Sequence, residues 1–457
     1  MAIATTNPAT GQVEQTFAEH TDAEIEAALV RAVEAFADYR TRSVEDRAAL
    51  VQAAAQIMDD DNERLARLAV VEMGKPLAQA RAEVSKCATA LRYYAEHAPA
   101  MLRDEPVTTE AESFKRYLPV GPVLAVMPWN FPFWQVVRFL APAFMAGNVA
   151  LLKHASNVPQ CALALEQVFA QAGFPSGVMQ TLLIGSAKVE KLLADPRVAA
   201  ATLTGSEGAG AAVGANAGGQ IKKTVLELGG SDPFLVMASA DLSKAVATAV
   251  KARLQNNGQS CIAAKRFIVH ESVYADFKAA FVEAFARQRV GDPLQEETDI
   301  GPIATEQGRA DLVEQVGRAV EAGAEVLTGC EVLPGEGYFF SPGIIEIAAE
   351  QQSAEVFSEE MFGPVAMLFK TANLDEAIEL ANATTFGLGS VIFTRDRAEA
   401  ERAASELEAG ATFVNSMVAS DPRLPFGGVK RSGYGRELSV EGMREFMNLK
   451  TVSMTDL

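Results

Sequence analysis

The chain has 457 residues and a formal net charge of −19. That length exceeds what one compact core holds, so two or three domains are expected, and a composition of 49% hydrophobic and 22% charged residues is that of a soluble globular protein. So acidic a surface argues against a nucleic acid or an anionic membrane as partner, while a few local cations could still hold a small anionic substrate.

The first residues, MAIATTNPATGQV, have no basic or apolar leader and read as no signal peptide. TDAEIEAALVRAVEAFADYR opens a helical segment running to about residue 100. The most apolar stretch spans residues 122–152, but Pro128, Asn130, Pro132, Arg138 and Pro142 interrupt it. Two buried strands around a buried helix fit it better than a membrane span. From Val120 onward, apolar runs alternate with helical stretches: PVLAVMPW, NVALLKHA, VMQTLLIG, VAAATLTG and KKTVLELGG are the expected strands. This repeated β-α pattern predicts a doubly wound parallel sheet buried on both faces. A second α/β series begins near Asp232, with PFLVM, RFIVH, PVAMLF, GSVIFT and ATFVN as strands. The four cysteines, at 87, 161, 261 and 330, form no CxxC pair and match no metal-site spacing. No metal is expected, and scattered reduced thiols suit the cytoplasm.

In open parallel sheets ligands bind at the C-terminal ends of strands, and those ends carry the unusual residues here. Gly205 and Ser206 follow a strand in TLTGSEGAG, and Gly210 lies inside the next helix. That helix start could hold a pyrophosphate; a plain tight turn is the other reading. Lys153 and Ser156, in LKHAS, lie where an adenosine ribose would sit, with no Asp or Glu beside them. A 2′-phosphate would be tolerated there, unless Lys153 is simply a solvated strand end. Glu227 closes an apolar strand, as a structural ion pair or as a base with a raised pKa. Cys261 lies in NNGQSC with no histidine at a recognisable spacing. Most lone cysteines are small core residues. This polar, Gly-containing segment reads instead as a loop or helix start whose N–H groups would lower the thiol pKa.

PWNFP, LELGG and NNGQSC, in this order, together with EEMFGPV (359–365), NATTFGLGS (382–390) and LPFGGVKRSGYGREL (424–438), resemble the aldehyde dehydrogenase superfamily. The motifs cover most of the chain, and Glu227 and Cys261 stand 34 residues apart, as the family's base and nucleophile do. The resemblance implies an α/β, aldehyde dehydrogenase-like fold of two doubly wound α/β domains plus a small β oligomerisation domain. It places the cofactor-binding domain at 1–104 and 120–230, the catalytic domain at 231–438 and the oligomerisation domain at 105–119 and 439–457, and implies a homodimer or homotetramer. It makes Cys261 the nucleophile that forms a thiohemiacetal and then a thioester. Asn130 becomes an oxyanion donor, Glu227 the base that activates water, and Glu437 a second carboxylate in proton relay. Trp129, Lys153, Ser156, Gly205, Ser206, Gly210, Leu228, Glu360 and Phe362 are its implied cofactor contacts. Ser156, where NAD-preferring members often carry Glu, implies NADP preferred with NAD also usable.

Arg138, inside an apolar helix, would snorkel or pair with an acidic neighbour on its own chemistry. Within the family it resembles the arginine that holds the substrate carboxylate in succinate-semialdehyde dehydrogenases, and Ser420 resembles a second carboxylate contact there. Many of those enzymes carry a second arginine six residues before the nucleophile, where this chain has Gln255. Trp134 and Phe426 would wall a substrate tunnel, or pack as ordinary core. The expected reaction is oxidation of succinate semialdehyde to succinate. The alternatives are a broader aliphatic or ω-carboxy aldehyde dehydrogenase, a CoA-acylating enzyme, against which Glu227 argues, and a catalytically silent member.

Overall fold

The computed structural model describes residues 2–109 and 112–455. It opens with an antiparallel hairpin, Ile3–Asn7 against Gln12–Phe17, in a region read from the sequence as leading directly into helices. Four helices follow, Asp22–Tyr39, Val44–Asp60, Asn62–Met73 and Leu77–Met101. The first is set by a reciprocal cap in which Thr21 and Glu24 each satisfy the other's free N–H.

The first large sheet runs Gly433–Tyr434, Lys223–Glu227, Ala200–Thr204, Pro122–Met127, Val149–His154, Met179–Thr181. All neighbours are parallel except the short first strand, which returns from the far C-terminal part of the chain to pair antiparallel with Lys223–Glu227. Chain order reverses at Pro122–Met127: the next strands go to one side and the later pair to the other. That is the switch point where a crevice opens beyond the strand ends. The helix Trp134–Ala146 is buried at every position, as its apolar circumference requires.

The second sheet runs Glu325–Thr328, Gly343–Ile347, Val365–Thr371, Arg266–His270, Pro233–Val236, Gly389–Phe393, Ala411–Val414. Five of its strands match the expected ones. The other two, Glu325–Thr328 and Gly343–Ile347, went unread. The first is a short edge strand with exposed charge, and the second has only five residues and begins at Gly343.

A third sheet joins Met447–Met454, Glu112–Pro119 and Glu105–Val107, all antiparallel. Leu449 and Val107 stand exposed on it. Among the described residues no helix is long and apolar enough to cross a membrane.

Candidate active site

The loop that carries Cys261 is held in an unusual backbone path. After the helix Leu242–Leu254, Asn256 and Asn257 adopt left-handed conformations at φ 56° and 57°, and Gly258 follows at φ 72°. Asparagine and glycine tolerate that region best. A Cβ on Gly258 would sit 2.5 Å from the Gly363 carbonyl carbon, so only glycine fits. The asparagine side chains then fasten the turn. Asn256 Nδ2 donates to the carbonyls of Asn130 (2.8 Å) and Gln259 (2.9 Å), and Asn257 Nδ2 donates to those of Gly74 (2.8 Å) and Pro302 (3.0 Å). Lys265, fully buried, donates to the carbonyls of Ser260 (3.0 Å) and Cys261 (2.5 Å) and pairs with Glu360 at 3.2 Å.

Cys261 itself is a half-buried free thiol. Burial pushes its pKa up to about 12, with Arg138 and Lys265 pulling the other way. The expectation that loop amides would lower this pKa is therefore corrected: removing a thiolate from water costs more here than the two nearby cations return. Asn130 lies beside this loop. Its Nδ2 donates to the Gln259 carbonyl at 3.1 Å, which uses one of the amide's two N–H groups and leaves one for a ligand. The Asn130 segment is fixed by His154, whose Nε2 donates to the Pro132 carbonyl at 2.9 Å while Nδ1 accepts from Ala155 N–H. Burial depresses the His154 pKa to about 4, so the ring is neutral.

Glu227 ends the strand Lys223–Glu227 and is buried, and neither carboxyl oxygen finds a hydrogen-bond partner among the described residues. Burial raises its pKa well above the carboxylate range; Arg138 opposes that rise and Glu437 adds to it. Arg138 forms a buried ion pair with Glu437, lies 4.4 Å over the Phe426 ring and reaches Thr204 Oγ1 at 3.4 Å. Burial also raises Glu437, with Arg138 opposing it. Of the two possibilities the sequence left for Arg138, the pairing with an acidic neighbour is present, and the side chain also lines a cavity.

That cavity, about 530 Å³, has Cys261, Arg138, Trp134, Ser420 and Phe426 in its wall. Five of the residues singled out in the sequence thus share one space. Glu227, Glu437 and Asn130 do not line it; Glu437 is linked to its wall by the ion pair with Arg138, and Asn130 bonds the carbonyl of Gln259, two residues before Cys261. Gln255, which the sequence placed where related enzymes carry a second arginine, lines the cavity too, and two further wall residues, Lys251 and Lys86, escaped the sequence reading as ligand groups. Gln255 has a buried Nε2 with no partner among the described residues, Lys251 stands exposed at the mouth, and Lys86 comes from the helix Leu77–Met101. A lysine directly before the fully buried Cys87 was the only signal for Lys86. Lys265 was missed because nothing in AAKRF distinguishes a fully buried lysine from a solvated one.

The remaining predicted residues gather at the strand ends of the first sheet. Lys153 is 8% exposed, and burial alone depresses its pKa, with no neighbouring charge offsetting it. Ser156 is half-buried, and its carbonyl accepts from Ala4 of the N-terminal hairpin at 3.0 Å. Ser206 caps the helix Glu207–Gly219, whose first-turn amides lack intrahelical partners. The Gly205 N–H, by contrast, is committed to the Glu227 carbonyl at 3.0 Å. Gly210 brings that helix close: a Cβ there would lie 2.6 Å from a methyl of Leu228. Glu360 accepts from Gly230 N–H at 3.2 Å, and a Cβ on Gly229 would meet its carboxylate at 2.3 Å. Phe362 meets Trp129 edge-on at 5.7 Å. Lys153 is thus a buried cation with no ion-pair partner among the described residues, and the helix that follows the Gly205–Ser206 turn opens with Glu207, whose carboxylate is taken up by Arg431. This donor set fits a dinucleotide carrying a 2′-phosphate. Among the described residues no cluster of His, Cys, Asp and Glu could hold a metal ion.

A sequence model of the aldehyde dehydrogenase family matches residues 1–452. The succinate-semialdehyde dehydrogenase [NADP(+)] 1 of Mycobacterium tuberculosis is 57% identical over 456 residues, covering 99% of both chains. The crystal structure of succinic semialdehyde dehydrogenase from Streptococcus pyogenes in complex with NADP+ superposes with a TM-score of 0.96 at 37% identity, covering 100% of both chains. A betaine aldehyde dehydrogenase from Staphylococcus aureus superposes nearly as well, with a TM-score of 0.94 at 28% identity over 99% of this chain and 91% of that one. Fold alone therefore does not choose the aldehyde.

Proposed function

This chain belongs to the aldehyde dehydrogenase family, and on that premise we propose that it oxidises succinate semialdehyde to succinate with NADP+ as the preferred acceptor and NAD+ as a poorer one. The observation that carries the reading is the shared wall of one cavity, with the Cys261 thiol, the Arg138 guanidinium and the Ser420 hydroxyl in it. A substrate with an aldehyde at one end and a carboxylate at the other suits that arrangement.

In this reading the Cys261 sulfur bonds to the aldehyde carbon while its proton passes to the carbonyl oxygen. The free N–H of Asn130 and the Cys261 backbone N–H stabilise the oxygen as charge develops, worth about 3–4 kcal/mol per donor in comparable sites. NADP+ held by Lys153, Ser156 and the Gly205–Ser206 turn would supply the hydride acceptor; with the hydride gone from that carbon and the hydroxyl proton released to water, the substrate remains on Cys261 as a thioester. Glu227 then removes a proton from water as the water attacks the thioester carbonyl and expels the sulfur, releasing succinate. One guanidinium balances one carboxylate: with Glu437 ionised against Arg138, burial favours a proton on Glu227 at rest, and Glu227 must first pass that proton on, with Glu437 as the second carboxyl of the relay, before it acts as the base on water. Arg138 and Ser420 hold the substrate carboxylate, with Trp134 and Phe426 as the apolar walls. Lys153 and Ser156 receive the 2′-phosphate and ribose; Gly205, Ser206 and Gly210 shape the pyrophosphate turn. Trp129, Leu228, Glu360 and Phe362 position the nicotinamide half.

The same reading assigns residues 1–104 and 120–230 to cofactor binding, 231–438 to catalysis, and 105–119 with 439–457 to assembly of a homodimer or homotetramer in the cytoplasm. The exposed Leu449 and Val107 of the third sheet support the assembly role. The Arg138–Glu437 pair favours one second reading, a broader aldehyde dehydrogenase in which Arg138 is structural. Initial rates with succinate semialdehyde and butyraldehyde, each with NADP+ and NAD+ and without CoA, separate the two. A strong preference for the semialdehyde and NADP+ is expected; equal rates with both aldehydes would refute the assignment, and an absolute CoA requirement would replace hydrolysis with acyl transfer.

A further inference from the structure

The cavity wall contains three cations, and their pairing differs. Arg138 is bound to Glu437. Lys251 is exposed at the mouth. Lys86 is half-buried, and among the described residues no carboxylate lies within ion-pair distance of it. The two acids that influence it are both engaged elsewhere: Glu83 pairs with Lys75 and Asp421 with Arg423. Its ammonium instead lies 4.2 Å over the Trp134 ring and donates to Ser420 Oγ at 2.6 Å.

That last bond fixes the direction of a proton. An ammonium has donors and no acceptor, so Ser420 Oγ must accept from Lys86, and the serine's own O–H is left to donate elsewhere. Lys86 has three N–H groups, of which Ser420 takes one. Two donors, one of them charged, therefore stand together in the wall of the cavity that holds the Cys261 thiol.

We propose that Lys86 is the principal cation for the substrate carboxylate, binding it together with the Ser420 hydroxyl and so setting preference for ω-carboxy aldehydes. The proposal rests on the semialdehyde reading above and names the residue that carries its specificity. Arg138, already paired with Glu437, is then the secondary cation for the same carboxylate. Lys86 also makes the selectivity depend on pH. Burial, reinforced by Arg138, depresses its pKa to about 8, while Cys87, Glu83 and Asp421 push back. The lysine loses its charge as pH rises through that value, so binding of an anionic substrate weakens above about pH 8.

The test is the ratio of kcat/KM for succinate semialdehyde to that for butyraldehyde, measured from pH 6.5 to 9.5 in the full-length enzyme with saturating NADP+. The wild type is expected to lose selectivity near pH 8. Lys86→Met should lower the ratio at least tenfold at pH 7 and flatten its pH profile. Lys86→Arg should keep most of the ratio and move its decline to higher pH. An unchanged ratio in Lys86→Met, or equal losses with both aldehydes, would make Lys86 a packing residue and overturn the proposal. A wild type with no semialdehyde preference would instead refute the parent reading. Should Lys86→Met fail to fold, the Lys86→Arg profile decides: a decline that stays at the wild-type pH overturns the proposal.

Discussion

The helix that bears Trp134 and Arg138 is anchored by a buried ion pair at its start, and Glu83→Gln should release it. Glu83 Oε1 accepts the Phe133 and Trp134 N–H groups, each at 2.9 Å, which are among the donors a helix start leaves unpaired. Its other oxygen pairs with Lys75; the two side chains are 2% and 0% exposed. Lys75 also lies 4.1 Å from the centre of the Phe131 ring, and burial depresses its pKa while Glu83 opposes that. Glutamine keeps one acceptor for the helix amides but leaves the Lys75 ammonium buried without its counter-charge. Breaking a buried pair from one side costs about 3–5 kcal/mol. At roughly 2–4 °C per kcal/mol for a domain of about 200 residues, thermal unfolding followed by circular dichroism should shift down by roughly 6–20 °C. The KM for the aldehyde should rise as well, because Trp134 is the second residue whose amide Glu83 holds. Lys75→Met combined with Glu83→Gln removes both charges and should recover at least half of the lost stability. Glu83→Gln melting within about 2 °C of wild type, or a double variant as unstable as the two single losses added, would refute this account.

Two further outcomes follow from other parts of the molecule. Ser156→Glu places a carboxylate beside Lys153 where a 2′-phosphate would lie, so the NADP+-to-NAD+ ratio of kcat/KM should fall at least a hundredfold; an unchanged ratio would remove Ser156 from the cofactor site. Asp232, buried against Gly389 N–H at 3.1 Å, has its pKa raised to about 7 by burial. Its folded pKa lies above its unfolded value, so its stabilisation is complete below about pH 4 and is lost as pH rises through 7. Asp232→Asn should flatten the stability-against-pH curve in that window, read by denaturant midpoints; an identical slope would contradict the assignment.

Much of the site was legible because its residues sit where physics makes them conspicuous. A glutamate closing an apolar strand, a cysteine after two asparagines and a glycine, and an arginine inside a largely apolar helix each violate a local rule. The structure accounts for each violation, by the Glu227–Arg138–Glu437 cluster, the left-handed turn at Asn256 and Asn257, and the buried pair. What stayed hidden obeys local rules. Lys86 and Lys265 are ordinary lysines in sequence, and only the long-range approach of Ser420 and Glu360 gives them meaning. The N-terminal hairpin was missed for a similar reason. Its second strand, QVEQTF, is almost wholly exposed and so has no buried face to signal, although its partner strand touches Ser156. The depressed thiol pKa expected of Cys261 failed because burial is a property of the packed cavity, which residue types in a loop do not reveal.

The central claim, that Cys261 carries the carbon chain of a semialdehyde as a thioester until Glu227 releases it, is tested most directly by trapping that species. Glu227→Gln would be mixed with succinate semialdehyde and NADP+ without CoA, quenched in acid and weighed by intact-mass and peptide mass spectrometry. The account predicts a single NADPH burst and one succinyl group on Cys261, with neither in Cys261→Ser. Steady turnover in Glu227→Gln without an adduct, or an adduct on another residue, would contradict it.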